Sequence, residues 1–296
     1  MRYLQLDRPG FGSLNHCLIA IMLFLLLLLL PIPLFSDYLH TMVANPISAV
    51  IVFLIVAGAA LLPDIDNDMD EGGSSASWSL GAMGRLLSTF MITVSSLATS
   101  TLKGKRDYPP KTQHRYLWHT LLIPILIFVL VHLFAVDSPA PVYEGLSLAN
   151  LPKGWMLPTA LTIFLVVVSV YVGSSLLFRK LLTYIRIFKQ PAWVISGLVT
   201  FLVLMVVMFL STLHDLKMYG YAVALGYLFH LFGDMWADSG IPALFPVTGL
   251  RGQFWMRCRL LPRRMTVKTG STHEMVLSFV FLAIDCILLW LVLSQL

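Results

Sequence analysis

The chain has 296 residues, 58% of them hydrophobic and only 12% charged, with a mean hydropathy of +0.83, which excludes an ordinary water-soluble domain. Its formal charge of +5 is no nucleic-acid footprint, because the basic residues lie in short segments between apolar runs. The three cysteines, Cys17, Cys258 and Cys286, are odd in number and too far apart to form a disulfide framework.

Arg2 and Arg8 precede an apolar run from Cys17 to Leu30, as in a signal peptide. The run continues through Pro31 to Phe35 without a small-x-small cleavage site, so a retained first span is expected. Apolar stretches at about 15–35, 46–62, 117–136, 156–178, 191–212, 218–235 and 275–294 predict seven membrane spans. The second is the shortest and holds Gly58. An eighth stretch, about 80–102, contains Arg85 and many Ser and Thr residues. Counting it as a span would split the candidate site across the membrane, so it is read as re-entrant or interfacial.

The expected architecture is therefore all-α: a polytopic transmembrane helical bundle forming one integral membrane domain over residues 1–296. With a cytoplasmic N-terminus, all of the 20 lysines and arginines except Lys153 and Lys217 fall on the cytoplasmic side, as the positive-inside rule demands. The expected location is a bacterial inner membrane. The largest outer loop, about 137–155, is rich in Pro and Gly, with Tyr143 and Trp155 placed for the interface.

Three segments carry chemistry. In LLPDIDND at 61–68 an apolar run ends at Pro63, and Asp64 and Asp66 follow, two apart, where an extended or turning backbone, which the proline encourages, lets both approach one cation. Asp68, Asp70 and Glu71 read as a solvated loop. In HRYLWH at 114–119 two imidazoles, His114 and His119, flank Arg115, which could clamp a phosphate. In GYLFHLFGDMWADSG at 226–240, His230 and Asp234 are four apart and share one helical face, as two metal ligands on one helix must.

His16 stands at the cytoplasmic start of the first span. Ser271 and Glu274 form a capping-box pattern before the last span, and Glu274 could also approach the cluster. His273 is expected to point elsewhere. His40, His132 and His214 fall toward the outer side and are assigned no role. Asp285, deep in the last span, demands a partner or its neutral form.

His16, Asp64, Asp66, His114, His119, His230 and Asp234 thus form a candidate set of metal ligands. They are more N and O donors than one tetrahedral ion uses, which leans toward two ions, or one ion with an acid–base apparatus. Ligation by His and carboxylate without Cys suits a divalent transition metal, zinc first, and admits manganese or iron.

In this order the elements LPD-x-D, H-R-x-x-x-H, G-Y-x-x-H-x-x-x-D and G-S-x-x-E, with an early histidine, resemble the bacterial inner-membrane metal-dependent hydrolases once described as LexA-binding. They match His16; Asp64 and Asp66; His114, Arg115 and His119; Gly226, Tyr227, His230 and Asp234; and Gly270, Ser271 and Glu274. Two positions depart from the pattern: Tyr116 replaces a small residue, and Asp238, Ser239 and Gly240 replace a Thr-x-x-Gly.

The expected activity is metal-dependent hydrolysis of a membrane-associated ester or phosphoester at the cytoplasmic face. Arg115, Glu274 and His119 are the candidate catalytic groups, and a membrane lipid or lipid-linked molecule is the partner. No nucleic acid is expected. Two alternatives stand beside it. An ion- or proton-coupled transporter predicts ligands near the bilayer midplane, whereas a non-catalytic scaffold with a structural metal predicts a saturated coordination shell.

Overall fold

The structure is a computed structural model that describes residues 12–32, 40, 43, 45–66, 80–102, 116–134, 138–145, 156–185, 192–236, 240–247, 254–262 and 271–294. Among these the chain is helical throughout and forms no strand. The helices are α1 (Ser13–Leu29), α2 (Pro46–Ala59), α3 (Gly81–Thr101), α4 (Leu122–Phe134), α5 (Val142–Gly145), α6 (Met156–Ile185), α7 (Ala192–Leu210), α8 (Leu213–Met235) and α9 (Thr272–Leu293). Two 3₁₀ turns, η1 (Pro63–Asp66) and η2 (Leu117–His119), flank α3 in the chain.

Local chemistry sets the starts. Asn45 caps α2 by accepting from the Ile47 N–H at 3.0 Å, with Pro46 at the first helical position. Thr212 and Asp215 cap each other's backbone N–H at the start of α8. Ser271 accepts from the Glu274 N–H at 3.2 Å at the start of α9.

Helix α8 is the axis of the bundle, packing against α1, α2, α4 and α6. Its residues from Met218 to Ala224 are buried without interruption, so every face is covered there. Small residues let backbones meet. A Cβ on Gly226 would lie 2.5 Å from the Val56 carbonyl of α2, and one on Gly58 would lie 1.7 Å from the Ser169 carbonyl of α6. The outside is apolar, with Leu126, Phe164, Leu198, Phe201, Phe279 and Trp290 exposed, a surface that is costly in water.

Three segments are long and apolar enough to cross a membrane: Pro46–Asp66, Leu157–Phe178 and Thr272–Leu293. Ser13–Leu29, Leu122–Leu133 and Val194–Leu210 are apolar but shorter. Among the described residues, six of the seven apolar stretches read from the sequence thus reappear as apolar helices, three of them of full spanning length. Segment 218–235 belongs to the central helix, whose first turns carry Asp215 and Lys217 and whose last turn carries Asp234.

The chain leaves the cluster described below at Asp66 and returns to it at His119, and α3, between them in the chain, packs on η1 and η2. It buries Gly84, Ser88, Met91, Ser95 and Thr99, and its exposed face mixes Met83, Leu86, Phe90 and Leu97 with Arg85, Thr89 and Thr93.

The crossing of α2 and α6 is the most sensitive packing point. Gly58→Ala is expected to lower stability by about 1–3 kcal/mol or more, because backbone rather than a movable side chain meets the new methyl group. Gly197→Ala on α7, where nothing lies within 4 Å of the added carbon, should be neutral or slightly stabilising. Thermal unfolding of the two variants in one detergent checks this.

Candidate metal centre

Five elements converge at one end of the bundle. The first turn of α1 supplies His16, η1 supplies Asp64 and Asp66, η2 supplies His119, and the last turns of α8 supply His230 and Asp234. The N-terminus of α9 brings Glu274 against α1. His16, Asp66, His119, His230 and Asp234 are fully buried; Asp64 alone of the six keeps some exposure, 14% of its side chain.

The geometry separates donors from their supports. His230 Nδ1 donates to the Ala60 carbonyl at 2.6 Å, and since a carbonyl only accepts, the proton sits on Nδ1 and Nε2 points into the cluster. Buried, and with no hydrogen-bond partner among the described residues, Nε2 lies 3.3 Å from Asp234 Oδ2 and 3.7 Å from Asp64 Oδ1. His119 is arranged likewise: Nδ1 faces Asp66 Oδ2 at 3.5 Å, and Nε2 faces Asp234 Oδ2 at 3.3 Å and Asp64 Oδ1 at 3.8 Å. An imidazole held through one nitrogen by a carbonyl or carboxylate is the usual support of a metal-binding histidine.

Asp64 Oδ1, His119 Nε2, His230 Nε2 and Asp234 Oδ2 therefore stand 3.3–3.8 Å apart along four edges. A tetrahedral ion with bonds of about 2.0–2.1 Å has donor–donor edges of about 3.3–3.4 Å. These four separations are those of donors around one ion, and Asp64, His119 and His230 each offer an atom within 4.8 Å of the others. Electrostatics agrees: three carboxylates buried among imidazoles carry an excess of negative charge that a divalent cation offsets.

His16 lies to one side, its ring stacked on that of His230 at 4.1 Å and its Nε2 3.7 Å from Asp234 Oδ1. With His230 and Asp234 it makes a second group of donors within 4.8 Å, alongside that of Asp64, His119 and His230. His230 Nε2 is common to both, so they overlap rather than form two independent sites.

Glu274 is drawn to α1. Its Oε1 accepts from the Gly12 N–H and from Asn15 Nδ2, the latter at 3.0 Å, while Ser278 Oγ donates to Asn15 Oδ1 at 2.7 Å. This network anchors the turn that carries His16. His114 and Arg115 lie outside the described residues, as do Asp68, Asp70, Glu71, Asp238, Ser239 and Gly270. His273 is exposed. His132 bonds the Tyr221 hydroxyl at 2.9 Å toward the opposite end of α4 from His119, and His214 begins α8 at the end remote from His230. Asp285 is buried in α9, and neither carboxylate oxygen has a hydrogen-bond partner among the described residues.

Sequence reasoning missed Gly233 and Asn15. A Cβ on Gly233 would sit 2.9 Å from His16 Nδ1, so this glycine makes room for the ring. Its place one residue before Asp234 was the available signal. Asn15 was visible only as a polar residue at the start of an apolar run.

Set against models of known protein families, curated proteins and solved structures, the chain matches none.

Asp66 and Asp64 should behave differently on substitution. Asp66→Asn is expected to leave the centre able to bind zinc with an affinity about 10–100-fold weaker, the usual consequence of losing a support. Asp64→Ala removes a donor and should weaken binding further. Competition of each variant with a chromogenic chelator separates the two.

Proposed function

We propose that this protein is a metal-dependent hydrolase of a membrane-associated ester or phosphoester, acting at the cytoplasmic side. The observation that carries this is the buried gathering of Asp64, His119, His230 and Asp234, with donor atoms 3.3–3.8 Å apart along four edges and Asp64 alone of the six cluster residues keeping some exposure. Asp64, His119, His230 and Asp234 would hold the ion, zinc first, with manganese or iron as alternatives. A divalent ion there supplies Lewis acidity, which acidifies water and offsets charge gathering on an acyl or phosphoryl oxygen.

The protein's own groups do the rest. Asp66 and the Ala60 carbonyl orient the two imidazoles. His16, beside Asp234 Oδ1, is placed to hold a proton, and Glu274 keeps His16 in position. In this reading Glu274 acts as a support rather than as the acid that its motif suggests. Arg115 takes the role of phosphate clamp on its sequence position alone.

The apolar exterior and the three long apolar helices support a multi-pass membrane location. The charge pattern supports a cytoplasmic site. Lys217 lies at the end of α8 remote from the cluster, whereas the strand-like contact of Cys258 with Ile241 puts Arg257 and Arg259 near the cluster end. The resemblance to the inner-membrane hydrolases agrees with all of this. Placement of the donors at one end, beneath a packed interior of Phe24, Ile55 and Tyr219, argues against a transport path.

One observation favours a second reading, a non-catalytic scaffold with a structural metal: the cluster gathers enough buried protein donors to fill a coordination shell without a substrate. Purified wild type, Asp64→Ala, His119→Ala and His230→Ala would be assayed for metal content and for release of product from phospholipids and isoprenoid phosphates. The hydrolase reading expects about one or two equivalents of metal and turnover in the wild type, both lost in the variants. Tightly held metal without turnover of either lipid class moves the assignment to the scaffold. A folded, metal-supplemented wild type that binds none overturns both.

A further inference from the structure

His119 reaches the cluster through its neighbour Trp118, which is held from two sides. The Trp118 indole N–H donates to the Met91 carbonyl in the middle of α3 at 2.8 Å, and the Trp118 carbonyl accepts from the Tyr227 hydroxyl of α8 at 2.6 Å. The same turn is tied down nearby: the Leu117 N–H donates to Ser95 Oγ of α3 at 3.4 Å, and Thr120 Oγ1 donates to the Leu117 carbonyl at 2.8 Å. A three-residue 3₁₀ turn has little slack, so whatever fixes the Trp118 peptide also fixes the start of the His119 side chain.

We infer that Trp118 is a positioning residue of the metal centre: its two hydrogen bonds set the seat of His119, so that the placement of α3 against the bundle governs how tightly the centre holds its ion. Helix α3 is built for such coupling, because it packs on the two turns that carry Asp64, Asp66 and His119. Its Ser95 meets Leu117 of η2, and Ser88 and Thr99 are buried beside it, while Leu86, Phe90 and Leu97 are exposed. The inference rests on the metal reading above.

The test uses the full chain in lipid nanodiscs, with zinc affinity measured by chelator competition and the visible spectrum recorded after loading with cobalt(II). Trp118→Phe keeps a ring and removes the N–H, and Tyr227→Phe removes the hydroxyl that meets the Trp118 carbonyl. Each should weaken zinc binding roughly tenfold and shift the cobalt bands. The double variant should lose less than the product of the two single losses, because both bonds hold one peptide. Tyr221→Phe serves as the control, since it removes a comparable bond to His132 elsewhere between α4 and α8. It should lower the melting temperature and leave zinc affinity unchanged.

Wild-type affinity in both Trp118→Phe and Tyr227→Phe would overturn the inference. So would an equal loss in Tyr221→Phe, which would mark a general loosening of the bundle. A wild type that binds no metal would instead overturn the reading on which the inference rests.

Discussion

Three carboxylates and three imidazoles are pressed together at the end of an apolar bundle, and the remainder of the fold answers that constraint. Isolated, a buried carboxylate costs several kcal/mol, and neighbours of like charge raise the cost. The Asp234 carboxylate lies at the centre, with one oxygen toward His16 and the other toward His119 and His230. Satisfying it takes three segments far apart in sequence, so the cluster also fixes how α1, η2 and α8 meet. Two of the three imidazoles are oriented through their second nitrogen, His230 by the Ala60 carbonyl and His119 by Asp66.

Much of this centre was legible in the amino-acid order. His230 and Asp234, four apart, fall on one face of a helix, and the helix is there. The proline before Asp64 favours an extended or a turning backbone, and of the two the structure has the 3₁₀ turn η1. What could not be read was the division of labour between Asp64 and Asp66. A 3₁₀ turn sends side chains two apart in different directions, one toward both Nε2 atoms and the other toward His119 Nδ1, and only tertiary placement says which. Glu274 illustrates the same limit: its spacing from Ser271 predicts a local cap, whereas its oxygen is used across the bundle by Gly12 and Asn15.

The helices themselves were less legible than the site. Run length cannot distinguish a helix that faces lipid from one enclosed by other helices, because both are apolar. Helix α8 is of the second kind, and its glycines and tyrosines reflect close neighbours rather than a lipid boundary. The Ser- and Thr-rich stretch that became α3 turns Ser88, Ser95 and Thr99 toward the protein and exposes a mixed face of Leu86, Phe90 and Leu97 with Arg85, Thr89 and Thr93, which is why average hydropathy ranked the segment poorly.

The glycines of α2 and its neighbours carry a mechanical meaning. On one side Gly58 and Gly173 bring α2 and α6 to bare backbone contact, and on the other Gly226 brings α8 equally close to Val56. Helices meshed without intervening side chains have no layer that can shear, so α2, α6 and α8 should move as a single block. Rocking one half of the molecule against the other, the motion by which carriers alternate between faces, would have to break that block. Motion elsewhere in the molecule then takes place around a block that itself stays still.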